Sequence, residues 1–386
     1  MKKKYIIIFL LLCLITISLF IQKKTHIFLY NITDKENYTS RNKSLRKGKK
    51  YLKQCLKGRL INKERFQISK NPKITIIIPL YNTGKSIKLI IRSIQNQNFL
   101  DIEIILVNDF SNDENITINI IQKLKIEDPR IVIINNKKNM GILYSRSIGV
   151  LHSKGKYIMN LDHDDFIFDR DVFDSVYKSA QNGNFDILSF SYVISDDNNF
   201  VVREPYYATI IPQNYIVTQP RLSKYPLFDN DMFQYYDFTI WAKLYKNLIY
   251  KKAVNFLSYK RYSVYNAYNE DLIGLFTICN VAEKYKYIRK FGVYHTNYIK
   301  SASRIAGVNK RIFDDIFFSE IILDLGKKQY KECAAIFLNE RVFISNNKNN
   351  IYLLKVVNKI LNCKYIKEIY KEKLKSKFKK LIKKKK

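Results

Sequence analysis

The sequence of 386 residues has few cysteines, and its five cysteines are spread along the chain. No Cys-x-x-Cys pair occurs, and no histidine lies at zinc-finger spacing from a cysteine. This excludes a finger-type zinc site and a small fold held by a framework of disulfides. A single disulfide among the four cysteines that follow Cys13 stays open. No Ser-His-Asp or Cys-His arrangement is evident, so nothing indicates nucleophilic catalysis by serine or cysteine.

Acidic residues are half as numerous as basic ones, 34 against 68, and the formal net charge is +34. Such an excess is typical of proteins that bind nucleic acid or anionic membranes. However, 25 of the 34 net charges lie in residues 1–70 and 363–386, and the rest of the chain is only mildly basic. The chain is also rich in Ile, Lys, Asn and Tyr, whose codons are A/T-rich. Genomic composition explains the basic tails as well as a polyanionic partner does. We expect no nucleic-acid partner, because the lumenal domain expected below would not meet nucleic acid.

Only one apolar run, residues 5–21, is long enough to consider as a membrane span. It has no charge, and a 17-residue helix rises about 25 Å, which suits a thin membrane. A cleaved signal peptide is the alternative, but no small-x-small cleavage site follows the run. The sequence therefore predicts a cytoplasmic tail at 1–4 and a retained transmembrane anchor at 5–21.

Three glycosylation sequons, at Asn31, Asn37 and Asn42, follow this run within a short distance. They favour a lumenal stem over residues 22–71, with the basic part of the stem as a solvated stalk. The resulting expectation is a glycoprotein of the single-pass type II class in the Golgi or endoplasmic reticulum. Its catalytic domain would then lie in the lumen.

From residue 73 onward, short β-branched runs alternate with helical periods of apolar residues. This alternation predicts an α/β fold in which a parallel sheet is covered by helices on both faces. Ligands of such sheets bind beyond the carboxyl ends of the strands. The predicted strands are 74–79, 102–107, 131–134 and 157–161.

Polar residues are concentrated after three of these strands, and the last group contains Asp162, Asp164 and Asp165. Mutual repulsion disfavours ionisation of three neighbouring carboxyl groups unless a cation neutralises them. Alternate residues of an extended segment share a face, so Asp162 and Asp164 could bind a divalent ion together with ligand phosphates. A helix N-cap is the alternative, but it needs only one carboxylate.

Two further polar residues have an ordinary structural interpretation when each is considered alone. Asp109 ends a strand and could accept hydrogen bonds from a base or ribose, or form an Asx-turn with Ser111. Arg146 follows a turn at Gly141 and could face phosphates, or lie on a solvated surface.

In this order, these residues resemble the family 2 glycosyltransferases of the GT-A fold. The resemblance covers about residues 72–305, and the ordered combination is more specific than any one motif. It implies a nucleotide-sugar-binding domain with a mostly parallel central sheet, followed by a helical, basic C-terminal extension at 306–386. The matching segments are ITIIIPLYN (74–82), VNDFSND (107–113), NMGILYSRSIG (139–149), KGKYIMNLDHDD (154–165), WAKLY (241–245) and NED (269–271).

The resemblance also implies a role for each matching residue. Asp271, or its neighbour Glu270, would be the general base, and Asp164 with Asp162 would hold Mn²⁺ or Mg²⁺. Trp241, the only tryptophan, would stack on an acceptor sugar. The residues expected to bind the donor are Pro79, Tyr81, Asp109, Asp113, Arg146 and Asp162.

Structural alternatives exist for several of these roles. Glu270 and Asp271 could cap a helix, and Trp241 could pack in the core. His295 could reach the metal or a phosphate, although a structural histidine is the simpler interpretation.

The implied function is an inverting, metal-dependent transfer of a sugar from a nucleotide-sugar, expected to be UDP-linked. The acceptor would be a hydroxyl of a glycan, glycoprotein or glycolipid. The alternative is a nucleotide-sugar- or carbohydrate-binding membrane protein without turnover. A processive synthase is excluded because no later apolar spans and no Gln-x-x-Arg-Trp pattern occur. Residues 365–386 form an amphipathic pattern that would suit a membrane surface, an acidic partner or a solvated helix.

Overall fold

A computed structural model describes residues 43–55, 57, 65–195, 202–203, 214–219, 221–223, 239–258, 270–296, 308–325 and 350–379. The chain divides into two compact units, residues 1–50 and 51–386. The described part of the first unit, 43–50, is helical. The expected anchor at 5–21 and the three sequons lie outside the described residues. Within the described ranges, no helix is long and apolar enough to cross a membrane.

The first half of the second unit alternates strands and helices, as predicted. The predicted strands at 74–79, 102–107, 131–134 and 157–161 are all present to within one residue. Ile, Val and Leu dominate them because both faces of each central strand are covered. The elements are β1 (Ile74–Leu80), α1 (Ile87–Gln95), β2 (Ile102–Asn108), α2 (Ile116–Glu127), β3 (Ile131–Asn135), α3 (Ile142–His152) and β4 (Tyr157–Asn160).

The second half contains shorter strands and ends in helices. The elements are β5 (Phe166–Ile167), α4 (Val172–Gln181), β6 (Ile187–Ser195), β7 (Val202–Arg203), β8 (Ile216–Thr218), β9 (Lys243–Lys246), α5 (Asn247–Ser258), α6 (Glu270–Val281), β10 (Lys284–Thr296), α7 (Val308–Leu325), α8 (Asn350–Leu361) and α9 (Glu368–Lys377).

The described strands form one mixed sheet in the order β3-β2-β1-β4-β9-β6-β10-β5, with β7 on β6 and β8 on β10. Strands β1 to β4 are mutually parallel, but β9 runs antiparallel between β4 and β6. The expectation of a mostly parallel sheet holds for β1 to β4 and for the pair of β6 and β10. It is wrong for β5, β7, β8 and β9, which run antiparallel to their neighbours. A parallel neighbour requires a crossover helix. Between β6 and β9 the described residues contain only short strands and one 3₁₀ turn.

Strand β1 shows how the sheet supports two layers of helices. Ile74, Ile76 and Ile78 belong to a buried cluster that includes residues of α1, α2 and α4. Ile77 points to the other face and belongs to a cluster with residues of α3, α5 and α6. The alternation follows from the two-residue period of a strand, and it places the sheet in the middle of three layers.

The C-terminal helices pack on the outer side of α6. Phe276 of α6 contacts Phe318 of α7 edge to face, with ring centroids 5.6 Å apart. Leu374 and Phe378, in and just after α9, are buried in the same cluster. Leu374 and Phe378 thus pack on the protein itself, whereas Ile369 of α9 is 60% exposed. The suitability of this region for a membrane surface or an acidic partner stays a prediction.

Candidate active site

The polar residues predicted from the sequence meet at the carboxyl ends of β1, β2 and β4. Helix α3 approaches this edge closely because Gly149 has no side chain. A Cβ atom at Gly149 would lie 2.6 Å from Cγ2 of Ile77 in β1. Gly141 precedes the helix with a φ of 87°, a conformation that favours glycine. These two glycines fix the position of α3, which carries Arg146.

Arg146 joins two carboxylates that are far apart in the sequence. Its Nη2 donates to Oδ1 of Asp162 at 2.7 Å, and its Nη1 donates to Oδ1 of Asp271 at 2.6 Å. The Arg146 side chain is 1% exposed, whereas those of Asp162 and Asp271 are 22% and 19% exposed. The two acids therefore keep a solvent-accessible side while the guanidinium holds them from within.

The charges of this group are strongly coupled. Burial opposes the charge of Arg146, but the carboxylates of Asp271 and Asp162 outweigh burial and raise the guanidinium pKa further. Burial raises the pKa of Asp271, Arg146 opposes that rise, and Asp162 adds to it. Asp271 is thus a better proton acceptor than an ordinary surface aspartate.

Glu270 lies beside Asp271 at the start of α6 and is held differently. Burial, followed by the charge of Asp271, raises the pKa of Glu270 to about 8. Its Oε2 atom is buried without a hydrogen-bond partner. Glu270 is therefore largely neutral at neutral pH, and Asp271 is the carboxylate whose charge Arg146 compensates.

The acidic group after β4 divides into an open part and a buried part. Burial, followed by the charge of Asp162, raises the pKa of Asp164. Asp165 is fully buried, and its Oδ1 accepts hydrogen bonds from Nδ1 of His295 at 2.9 Å and from the N–H of Thr296 at 3.2 Å. Burial raises the pKa of Asp165 to about 7, although the ion pair with His295 lowers it. Asp165 thus anchors β10 to the acidic loop.

In the described part of the chain, no set of three His, Cys, Asp or Glu side chains is preassembled around a metal position. A site built from Asp162 and Asp164 alone fits a hard divalent cation whose other ligands are phosphate oxygens and water. Burial and the charge of Asp162 raise the pKa of Asp164 by more than His163 and His295 lower it, so a bound cation would relieve this repulsion. Asp165 is less suited to such a role because His295 and Thr296 occupy its Oδ1.

Trp241 is packed in the core and is not open to an acceptor sugar. Its ring stacks on His295 with centroids 4.7 Å apart and planes 20° apart, and it meets Tyr192 edge to face at 4.4 Å. Only 5% of its surface is exposed. The expected sugar-stacking role of Trp241 is therefore not supported by the geometry, since His295 covers one face of the indole.

Asp109 holds the loop before α3. Its Oδ1 accepts hydrogen bonds from the N–H of Met140 at 2.8 Å and from Nδ2 of Asn136 at 2.7 Å. Its Oδ2 accepts from the N–H of Gly141 at 2.7 Å. One acceptor position of Oδ2 remains for a ligand, so the predicted contact with a base or ribose stays a prediction.

The other expected donor-binding residues are divided between structural and exposed positions. Asp113 holds the first turn of α2, since both of its carboxylate oxygens accept from the N–H of Thr117 at 3.2 Å. Pro79 is buried within β1. Tyr81, just beyond β1, is 47% exposed and is free to contact a ligand. The geometry thus favours Tyr81 and leaves Asp113 and Pro79 in supporting positions.

Two residues near the site were not singled out from the sequence. Tyr250 of α5 is buried, and its hydroxyl accepts a hydrogen bond from Nδ2 of Asn160 at 3.0 Å. Phe110 follows Asp109 and is 52% exposed. The spacing of apolar residues in the sequence could not identify either residue. It places Tyr250 in the core of a helix and Phe110 in a loop.

Comparisons with known proteins agree with this geometry. Residues 75–252 match the model of glycosyl transferase family 2. The glycosyltransferase GlyG of Streptococcus pneumoniae is 30% identical over 129 residues, which cover 33% of this chain and 42% of GlyG. The poly(ribitol-phosphate) beta-N-acetylglucosaminyltransferase TarP of Staphylococcus aureus is 27% identical over 192 residues, covering 49% of this chain and 54% of TarP. The chain thus spans about half the length of these curated relatives.

Among solved structures, residues 1–349 of S. aureus TarS in complex with UDP-GlcNAc align with a TM-score of 0.54 at 16% identity. The alignment covers 79% of this chain and 85% of that one, and it shows a shared fold. These relatives are bacterial, and bacteria have neither a Golgi apparatus nor an endoplasmic reticulum. The expected location in those organelles is therefore wrong, and the sequons give no support for glycosylation there.

The α/β sheet, the acidic residues at its carboxyl edge and the match over residues 75–252 lead to the same assignment. Residues 75–252 are similar to glycosyl transferase family 2, and they lie in a domain with the α/β, GT-A-like fold of the structural neighbour.

Proposed function

We propose that this protein transfers a sugar from a UDP-linked donor to an acceptor hydroxyl with inversion at the anomeric carbon. The observation that carries the proposal is the Arg146 bridge between Asp162 and Asp271. It fixes a carboxylate of the acidic loop and a carboxylate of α6 at one edge of the sheet. An inverting transfer needs this arrangement, with a proton acceptor on one side of the sugar and the leaving group on the other.

Asp271 is proposed as the general base. Its raised pKa brings it closer to the proton affinity that base catalysis needs, and Arg146 keeps it ionised enough to accept a proton. The proton of the acceptor hydroxyl moves to a carboxylate oxygen of Asp271 as the hydroxyl oxygen attacks the anomeric carbon. The bond between that carbon and the UDP oxygen breaks, and UDP leaves. Because a single displacement suffices, no covalent sugar-enzyme intermediate is needed.

Asp164 and Asp162 would hold a divalent cation, Mn²⁺ or Mg²⁺, which when bound neutralises charge on the departing diphosphate. Two features of the chain support this proposal. Burial and the charge of Asp162 raise the pKa of Asp164 despite the nearby His163 and His295. Asp162 keeps 22% of its side chain exposed although Arg146 binds its Oδ1.

The UDP-GlcNAc complex of the structural neighbour TarS supports a UDP-linked donor, and an N-acetylhexosamine is the first sugar to test. The name of TarP supports a polymeric, phosphate-bearing glycan as one class of acceptor. We propose a glycan or glycolipid acceptor on this basis.

The test measures UDP release from a panel of UDP-sugars with Mn²⁺, with and without glycan acceptors. Asp271→Asn removes the base with little change of shape, and Asp164→Asn removes the proposed cation ligand. Asp174→Asn is the matched control, because Asp174 lies on the surface of α4 in an ion pair with Lys178. Loss of acceptor-dependent UDP release by at least about 100-fold in the first two variants, but not in the control, would support the proposal.

Two results would contradict it. If Asp271→Asn transfers sugar at the rate of the unmodified protein, Asp271 is not the base. If the unmodified protein binds UDP-sugars but releases no UDP with any acceptor of the panel, the chain is a binding protein without turnover.

A further inference from the structure

Helix α9 is attached to the protein along one side. Leu374 is fully buried, and so is Phe378, which directly follows the helix. Ile366, just before the helix, is 4% exposed. All three belong to the buried cluster that includes residues of α6, α7 and α8. The helix therefore lies along the C-terminal helices over its whole length, and its opposite side faces solvent.

The solvent side of α9 carries an apolar residue beside a lysine. Ile369 is 60% exposed, and Lys373, four residues later, is exposed as well. Residues four positions apart are neighbours on the surface of a helix. A single exposed isoleucine is ordinary on a protein surface. Its position on a strongly basic face is what distinguishes Ile369.

The charge around Ile369 is strongly positive. Residues 364–379 contain seven lysines and two glutamates, a net charge of +5, and five more lysines follow in the sequence. Both glutamates already pair with lysines of α9, with distances from Nζ to the carboxylate oxygen of 3.6 and 2.6 Å. Among the residues that the structure describes, Lys373 and Lys379 have no carboxylate partner. This face therefore has positive charge that the protein does not compensate.

A partner for this face must bind several lysines and one apolar side chain together. A soluble polyanion would neutralise the lysines, but it would leave Ile369 in water. The surface of an anionic bilayer satisfies both requirements, because its phosphate groups lie next to the acyl chains. Positive charge and an apolar side chain on one side of a helix therefore favour a lipid surface over a soluble polyanion.

We propose that the solvent side of α9 docks on the surface of a bilayer that contains anionic lipids. Ile369 enters the boundary between headgroups and acyl chains, and Lys373 and Lys379 contact lipid phosphates. The inference goes beyond the proposed function, because it holds with or without sugar transfer.

The test uses the full chain and places a fluorescent side chain on this face. Ile369→Trp puts an indole where insertion is expected, and Ile126→Trp, on α2 at a position that is 85% exposed, is the matched control. Trp241 is 5% exposed, so its emission is a constant background. Each variant is titrated with vesicles of phosphatidylglycerol and phosphatidylcholine, with vesicles of phosphatidylcholine alone, and with soluble polyphosphate. Circular dichroism checks that the helices are retained.

We expect the emission of Ile369→Trp to move to shorter wavelength on the phosphatidylglycerol vesicles, because the indole leaves water, and high salt should reverse the shift. Adding Lys373→Gln and Lys379→Gln to this variant should weaken the partition about 5- to 30-fold. Lys123→Gln with Lys125→Gln, at exposed positions of α2, should leave it unchanged.

The readout is specific to α9, so attachment of the chain to vesicles through the apolar run at residues 5–21 would not imitate it. Absence of a shift with phosphatidylglycerol would overturn the inference, and so would an equal shift on phosphatidylcholine alone or in Ile126→Trp. An equal shift with polyphosphate would assign the face to a soluble polyanion and would also overturn it.

Discussion

Arg146 of α3 donates from Nη1 to Oδ1 of Asp271 of α6 at 2.6 Å, although the two residues are 125 positions apart. The same guanidinium binds Asp162 at 2.7 Å through Nη2. A single buried cation therefore connects the acidic loop after β4 with the candidate base. Any change at Arg146 is expected to alter both the position and the proton affinity of Asp271.

Replacement of Arg146 should separate these two effects. Arg146→Gln removes the charge that lowers the pKa of Asp271, so that pKa should rise further. Because the base acts only when ionised, the acidic limb of the pH–rate profile should move to higher pH. Arg146→Lys keeps the charge but cannot form the fork to two carboxylates. It should lower kcat by about 10-fold or more with a smaller movement of that limb.

The control for this experiment is Arg170→Lys, at an exposed position outside the site. Circular dichroism of each variant checks that the fold is retained. If Arg146→Gln leaves the acidic limb where it was, Asp271 does not titrate as the base.

Glu270 should make stability depend on pH. Its pKa is raised from 4.5 to about 8 by burial and by Asp271. Above pH 4.5 the unfolded chain ionises this group freely, whereas the folded protein resists ionisation, so stability is lost as pH rises to about 8. Glu270→Gln should therefore raise Tm more at pH 8.5 than at pH 5. Scanning calorimetry of this variant and of Glu283→Gln, at an exposed position, tests the difference. Equal Tm changes at both pH values would contradict the assigned burial of Glu270.

The fluorescence of Trp241 should depend on the ion pair between His295 and Asp165. It is the only tryptophan, and its ring stacks on His295 at 4.7 Å. Burial opposes protonation of His295, but Asp165 raises its pKa to about 9, so the imidazole is positively charged at neutral pH. A charged imidazole quenches indole fluorescence efficiently. His295→Gln should therefore brighten the emission, whereas His152→Gln, on the exposed end of α3, should not. No difference between the two variants would contradict the stacking.

Phe318 should be important for stability because it is fully buried between the C-terminal helices and α6. Phe318→Ala removes the ring contact with Phe276 and leaves a cavity, so the free energy of unfolding should fall by about 3–5 kcal/mol. Ile369→Ala, at a position that is 60% exposed, should change it by less than about 0.5 kcal/mol. Urea denaturation measures both. A loss below about 1 kcal/mol for Phe318→Ala would show that α7 does not depend on this contact.

The elements that the sequence predicted best are those whose signal is local. Strands at 74–79 and 102–107 were predicted from continuous β-branched runs, and both are present in the structure. Glu270 and Asp271 lie at the start of a helix, which agrees with their structural interpretation as residues at a helix N-terminus. The mixed second half of the sheet was missed, because the direction of β9 depends on which strands it lies between and not on its own four residues.

For two of the expected site residues, the structure shows partners that the sequence did not indicate. Asp109 was expected at the ligand edge and lies there, but its carboxylate mainly anchors the loop before α3. Trp241 was expected on the acceptor side and instead packs between Tyr192 and His295. In both cases the residue type was informative, but the partner came from a distant part of the chain.

The sequence by itself determined the alternating α/β order, the acidic loop at 162–165 and the family match of residues 75–252, since each depends on neighbouring residues or on their order. Only the tertiary structure decided that Arg146 bridges Asp162 and Asp271, that Asp165 binds His295, and that Phe110 is held exposed. The physical reason is the range of the interactions. The periodic spacing of apolar residues is set within a few neighbouring residues. An ion pair or an unfavourable backbone angle depends on segments that only the folded sheet brings together.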